Sequence, residues 1–332
     1  MDIQTNRRGE TSGAPRTSPS TVQYLGLDIG GTKTAISLWA GDAVLVHKIQ
    51  FPTGGSPGDI IARILTTVDE LSQLSACQSD GSISRPAALG ISCGGPLDSK
   101  AGLILSPPNL PGWDRVPIVS IMEEKTGLPC FLENDANACA LAEWYWGAGQ
   151  GYRNMAFLTF GTGLGCGLIL NGQLYRGAGD LAGEVGHIRI AEDGPEGYGK
   201  RGSWEGYCSG GGLSRLYTEI SGRIETGKYI CDAAEQGEPD ARKVIETCAF
   251  YLGRGLALLI DILNPECIVL GSIFVRSEKL FRTIMESVIE QEALMLSRTQ
   301  CVILPAKLGE LLGDKAALGV AVNGLHRLTP GL

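Results

Sequence analysis

The chain has 332 residues, 43% of them hydrophobic and 19% charged. At ~150 residues per domain this length fits two domains, and so much apolar material excludes wholesale disorder. Twenty-eight Lys and Arg against 36 Asp and Glu leave a net charge of −8, so no nucleic acid and no membrane is expected as a partner, since both need a basic face.

Residues 1–20 are polar, rich in Pro, Ser, Thr and Gly, and read as a disordered tail without the apolar core of a signal peptide. No run reaches the ~18 apolar residues of a membrane span. Strands are predicted over 24–30, 34–40 and 43–51 as an antiparallel meander. Ile61, Ile64, Leu65, Val68, Leu71 and Leu74 predict a helix from about Asp59. A buried strand over 87–92, a Pro/Gly loop over 106–114 and a helix over 117–127 follow. A strand at 130–133 runs directly into a helix. Residues 155–163 and 164–172 form a second strand–turn–strand unit, and Asn171-Gly172 marks a hairpin. Helices dominate 210–263. A strand at 266–271, a helix at 277–297, a strand at 301–305 and a helix at 312–326 complete the chain. The ten cysteines form no CxC or CxxC pair; several, such as Cys130 and Cys267, sit in apolar runs. They read as buried thiols of a reducing, cytoplasmic compartment.

The two meanders echo each other: DIGGTKTAISLWAGD and TFGTGLGCGLILNGQ each place a Gly-Thr turn between strands. Two similar lobes would bring both tips to one cleft, the usual place for a ligand. Asp28, Gly30, Gly31, Thr32 and Lys33 suit a phosphate turn, with Asp28 able to hold Mg²⁺; a plain β-turn is the bland alternative. Gly161, Thr162, Gly163 and Gly165 offer a second set of amide donors, or simply a tightly packed hairpin. Asn134 and Asp135 stand where a strand becomes a helix. Either could cap that helix, and an ionised Asp135 could instead take the proton of an attacking hydroxyl. Glu184, His187 and Glu205 lie in Gly-rich polar stretches, where two carboxylates and an imidazole could read vicinal hydroxyls.

These motifs resemble, in order and over roughly residues 22–325, the ROK family of sugar kinases and related regulators. The segments are DIGGTKT, GISCGGPLD, PPNLPGW, LENDANACALAEWYWGAG, the Gly-rich run 160–187, WEGYCSGG and LNPECIVLG. The resemblance implies an α/β, two-lobed actin/hexokinase-like (ribonuclease H-like) ATPase fold with a cleft between lobes. The N-terminal lobe would comprise 21–135 plus 312–332, and the C-terminal lobe 136–311. It implies Asp135 as catalytic base, and Asn134, Glu184, His187, Glu205, Gly95 and Asn109 as sugar contacts. It assigns both Gly-Thr turns to the phosphates, Gly271 to the adenosine side, and a homodimer as the assembly.

Two departures stand out. Relatives carry zinc on a His and three cysteines. Here His187 remains, while the cysteine places fall at Glu196, Tyr198 and Ser203, or at Gly197 and Gly199 in another alignment. No structural zinc is expected; Pro195, with Tyr198 or Trp204 filling volume, would hold the loop. Gly271 is followed by Ser272-Ile273 instead of further glycines. The implied reaction is transfer of the ATP γ-phosphate to the 6-hydroxyl of a hexose with Mg²⁺, glucose first. N-acetylmannosamine or N-acetylglucosamine is the alternative and fructose a lesser one. A sugar-sensing repressor would need ~60 or more residues of DNA-binding domain ahead of the first strand, where about twenty polar ones stand.

Overall fold

A computed structural model of the chain describes residues 22–41, 43–75 and 85–328; the tail expected over 1–20 lies outside them, as does Cys77. Strands β1 (Gln23–Ile29), β2 (Lys33–Ala40) and β3 (Val44–Pro52) form the expected antiparallel meander. Helix α1 (Pro57–Ser75) leads to β4 (Leu89–Cys93). It begins two residues before Asp59 because Ser56 and Asp59 cap it reciprocally. The Ser56 amide and hydroxyl both donate to Asp59 Oδ2, and the Asp59 amide donates to Ser56 Oγ. A small hairpin of β5 (Leu97–Asp98) and β6 (Leu103–Ile104), not legible in the sequence, precedes α2 (Ile118–Thr126). Strand β7 (Cys130–Asn134) then runs into α3 (Asp135–Trp146) without a loop.

The second half repeats the pattern with β8 (Met155–Phe160), β9 (Leu164–Leu170) and β10 (Gln173–Tyr175). Asn171 and Gly172, at φ of 55° and 76°, make the two-residue turn that joins β9 to β10. A hairpin of β11 (Glu196–Gly197) and β12 (Lys200–Arg201) follows. The helices α4 (Trp204–Tyr207), α5 (Gly210–Ser221), α6 (Gly227–Glu235) and α7 (Pro239–Leu263) lead to β13 (Cys267–Leu270). Then come α8 (Ile273–Glu292), α9 (Met295–Arg298), β14 (Val302–Pro305) and α10 (Leu312–Leu328). The helix expected over 277–297 is thus two. Ser272, at φ 55°, turns the chain straight out of β13 into α8, one turn earlier than the apolar spacing suggests.

The two sheets share one wiring. The first runs β3-β2-β1-β4-β7 and the second β10-β9-β8-β13-β14. In each, a meander is extended by two parallel strands. Helices α3 and α10 lie between the sheets. Leu141 of α3 and Val320 of α10 share an apolar cluster with Phe157 and Val269 of the second sheet. Helix α10 also lies on the first sheet, so closely that a Cβ on Gly90 of β4 would collide with the Ala317 carbonyl. Among the described residues no helix is long and apolar enough to cross a membrane. The nine described cysteines are unpaired, and seven of them are buried.

Candidate active site

Parallel strands β1, β4 and β7 end side by side, with Ile29 beside Cys93 and Cys93 beside Asn134. That register gathers Asp28, the Gly94-Gly95 turn after β4, and Asn134-Asp135. Burial raises the Asp28 pKa to about 6, and the charges of Asp314 and Asp135 add to it; Lys33 and Lys48 oppose it. Lys48 itself is spent on Asp314, 2.7 Å away. Cys93 lies among the same carboxylates, and burial, then Asp135 and Asp28, push its thiol to about 12.

Of the two neighbours that could cap the helix, the structure uses the first. Asn134 is the cap: its Oδ1 accepts the Asn137 amide at 2.8 Å. Its NH₂ group is left to donate elsewhere. Asp135 Oδ1 accepts the adjoining Ala136 amide at 2.8 Å. Its carboxylate opens on the cleft, yet the protein walls around it raise its pKa through burial against two lowering backbone hydrogen bonds. Behind them Glu133 points inward, held by Arg176 at 2.6 Å and by Asn137 Nδ2 at 2.9 Å.

Glu184, His187 and Glu205 come to this same space. Burial raises the Glu184 pKa; His187 lowers it, and Asp135 and Glu205 raise it. Glu205 sits in the first turn of α4, where Ser203 caps the helix by accepting the Gly206 amide. Its Oε2 accepts the Leu164 amide at 2.9 Å. Tyr198 lies over His187, ring centroids 5.2 Å apart. Burial first, then Glu205 and Glu184, push its hydroxyl to about 12. The Lys200 ammonium stands 2.9 Å from His187 Nδ1. Arg176 and Lys200 are the site residues to which the sequence alone assigns no role.

The first Gly-Thr turn is closed by the Gly30 amide on the Lys33 carbonyl at 3.0 Å, with Thr32 and Lys33 exposed. Asn109 folds against it: a Cβ on Gly31 would stand 2.6 Å from the Asn109 carbonyl oxygen. The second turn, Gly161–Gly163, is pinned to the start of α5 by the Gly210 and Gly211 amides, which donate to the carbonyls of Gly161 and Thr162. Ser272 Oγ lies beside Gly161, and Gly271 is buried against Phe157. Gly165 sits outside the turn, within β9. Its amide donates to Thr159 Oγ1 at 3.1 Å and its open side faces Ala136.

A zinc ion on His187 does not fit these residues. Ser203 is a helix cap, Tyr198 covers the imidazole, and Lys200 takes His187 Nδ1. Among the described residues no group of three or more His, Cys, Asp or Glu could hold a metal ion. The loop is held instead by Tyr207 Oη on the Asp193 carbonyl at 2.7 Å, the Gly202 amide on Pro195, and an Arg201–Asp193 ion pair. Trp204 is buried against Gly255 of α7, while Tyr198 is half exposed.

A family model described as the ROK family matches residues 24–322. A glucokinase of Halalkalibacterium halodurans is 34% identical over 266 residues, 75% of this chain and 79% of its own. The ROK hexokinase structure from Thermus thermophilus superposes with a TM-score of 0.81 at 31% identity, covering 93% of this chain and 100% of that one. A ROK family glucokinase from Streptomyces griseus, solved with glucose and AMPPNP, gives a TM-score of 0.72 at 31% identity, with 90% and 99% covered.

Proposed function

The chain belongs to the ROK family, and from that premise we propose that it is an ATP-dependent sugar kinase that phosphorylates the 6-hydroxyl of glucose. The reading is carried by one observation. Asp135, Asn134, Glu184, His187 and Glu205 share a single space between two Gly-Thr turns of identically wired sheets.

Asp135 accepts the proton of the 6-hydroxyl as its oxygen attacks the γ-phosphorus, and ADP leaves with the bond electrons. Asn134, Glu184, His187 and Glu205 orient the sugar hydroxyls, with Gly95 and Asn109 lining the approach. Gly30, Gly31, Thr32 and Lys33 face the phosphates from one side and Gly161, Thr162 and Gly163 from the other. Gly271 and the start of α8 take the adenosine side. Mg²⁺ arrives with ATP. Asp28, at the end of β1, is the carboxylate that would hold it, directly or through water. Unpaired cysteines support a cytoplasmic setting. A homodimer is part of the same proposal; the exposed apolar group of Ile262, Leu294 and Leu296 supports it.

The test is ADP release with Mg-ATP across glucose, mannose, fructose, N-acetylglucosamine and N-acetylmannosamine. The highest kcat/KM is expected for glucose. Preference for an N-acetylhexosamine would move the substrate, and no release with any sugar would overturn the reading. Sequence-specific DNA binding at physiological salt would favour a regulator instead.

A further inference from the structure

Hairpin β11–β12 pairs Gly197 with Lys200, leaving Tyr198 and Gly199 as its two turn residues, at φ of 54° and 67°. Both positions of such a turn favour Gly, Asn or Asp. A tyrosine there holds a backbone conformation its side chain disfavours, a type of strain that concentrates at functional sites. The turn puts the Tyr198 ring over His187 and the Lys200 ammonium against His187 Nδ1.

An ammonium has three donors and no acceptor. The 2.9 Å contact therefore makes Nδ1 the acceptor, and the ring proton must sit on Nε2. We infer that Lys200 is a positioning residue of the sugar site: it does for His187 what a metal ion on Nδ1 would do, fixing the imidazole as the Nε2–H tautomer so that Nε2 presents a donor to the cleft. The Tyr198 ring packs against the imidazole at a tilt of 54° and limits its motion on that side. Glu184 and Glu205, the carboxylates of the same space, supply acceptors. One fixed donor and two carboxylate acceptors in the same space match a hydroxyl that accepts from one side while donating to another. The inference rests on the sugar-kinase reading for what Nε2 contacts, but the tautomer stands independently of it.

The test is long-range ¹H–¹⁵N correlation of the imidazoles, with His187 assigned by loss of its signals in His187→Asn. Wild-type protein is expected to show His187 as a single Nε2–H tautomer. An Nδ1–H tautomer in wild type overturns the inference without any variant. Lys200→Met should mix the tautomers and raise the glucose KM ~10-fold, the effect of losing one charge-assisted hydrogen bond, with kcat changed far less. Lys200→Arg should restore both. An unchanged tautomer and KM in a folded Lys200→Met protein would also overturn it. Absence of turnover with every sugar, with the tautomer as expected, counts against the kinase reading alone.

Discussion

The guanidinium of Arg176 stands 2.6 Å from the carboxylate of Glu133, and the two side chains are 14% and 1% exposed. Glu133 immediately precedes Asn134 and Asp135. A buried ion pair therefore anchors the strand end from which the proposed base projects.

Removing one partner of that pair strands a buried charge. Burial already raises the Glu133 pKa, and Arg176 is the largest opposing influence. Arg176→Met should lose about 3–5 kcal/mol at neutral pH in urea unfolding, the usual cost of an uncompensated buried ion. The loss should shrink as acid protonates Glu133. Adding Glu133→Gln to the same protein should recover most of it. Equal stability of Arg176→Met and wild type would show the pair to be idle.

Asp135→Asn keeps the shape of the helix start but cannot take a proton. Turnover should fall ~10²–10⁴-fold while glucose binding by calorimetry persists. Because burial raises the Asp135 pKa, the acid limb of wild-type kcat/KM should lie above the ordinary carboxylate range. A variant within a few-fold of wild-type kcat would return Asp135 to a structural role.

Asp28 opposes stability once it is ionised. Its pKa is raised from 3.8 to about 6, so the folded protein holds that proton more tightly than the unfolded chain does. The stability linked to it is complete below pH 3.8 and is lost as pH rises through 6. At pH 8 the penalty reaches roughly 3 kcal/mol. Asp28→Asn should therefore raise Tm at pH 8, with the gain fading toward pH 4, and should depress turnover. A Tm at or below wild type at pH 8 would contradict this.

A Cβ on Gly167 would stand 2.6 Å from both the Ala136 carbonyl oxygen and the Ala140 Cβ. Gly167→Ala must push α3 off β9, at a cost of about 1–3 kcal/mol. Helix α3 carries Asp135, so kcat should fall with stability. Gly54→Ala, where nothing lies within 4 Å, is the matched control and should be silent.

Chelation should leave this protein unharmed. After EDTA and return to Mg-ATP, Tm and turnover are expected to match the untreated enzyme, since His187 Nδ1 is engaged by Lys200. Stoichiometric zinc in tag-free protein, lost together with activity, would refute this.

The residues that were legible in advance carry local signals. Asn171-Gly172 announces its turn, and the two Gly-Thr repeats announce matching meanders. Partners far apart in sequence leave no such mark. Arg176 and Glu133 are 43 residues apart, and Lys200 reaches His187 across the bridge between Arg189 and Ser203. Composition misleads at the Gly-rich run. The glycines of 161–167 look equivalent as amide donors. Gly161 and Gly163 lie in the turn, while Gly165 and Gly167 serve the close approach of α3. Which glycine faces a helix depends on strand register, and that is fixed only when the sheet forms.

Helix α10 covers the first sheet, yet it is the last described element to leave the ribosome. The strands of the second sheet, Met155 to Pro305, are complete before Leu312 is made. Gly90 and its neighbours on β1 and β4, synthesised earliest, must wait for Ala317 and Ala321 to shield them. During translation both sheets therefore stay bare on the faces that α10 covers until this helix is made, the condition under which nascent chains need chaperones. A premature stop just before Leu312 would keep every proposed sugar-binding residue in the chain and still remove the cover from the sheet that carries Asp28.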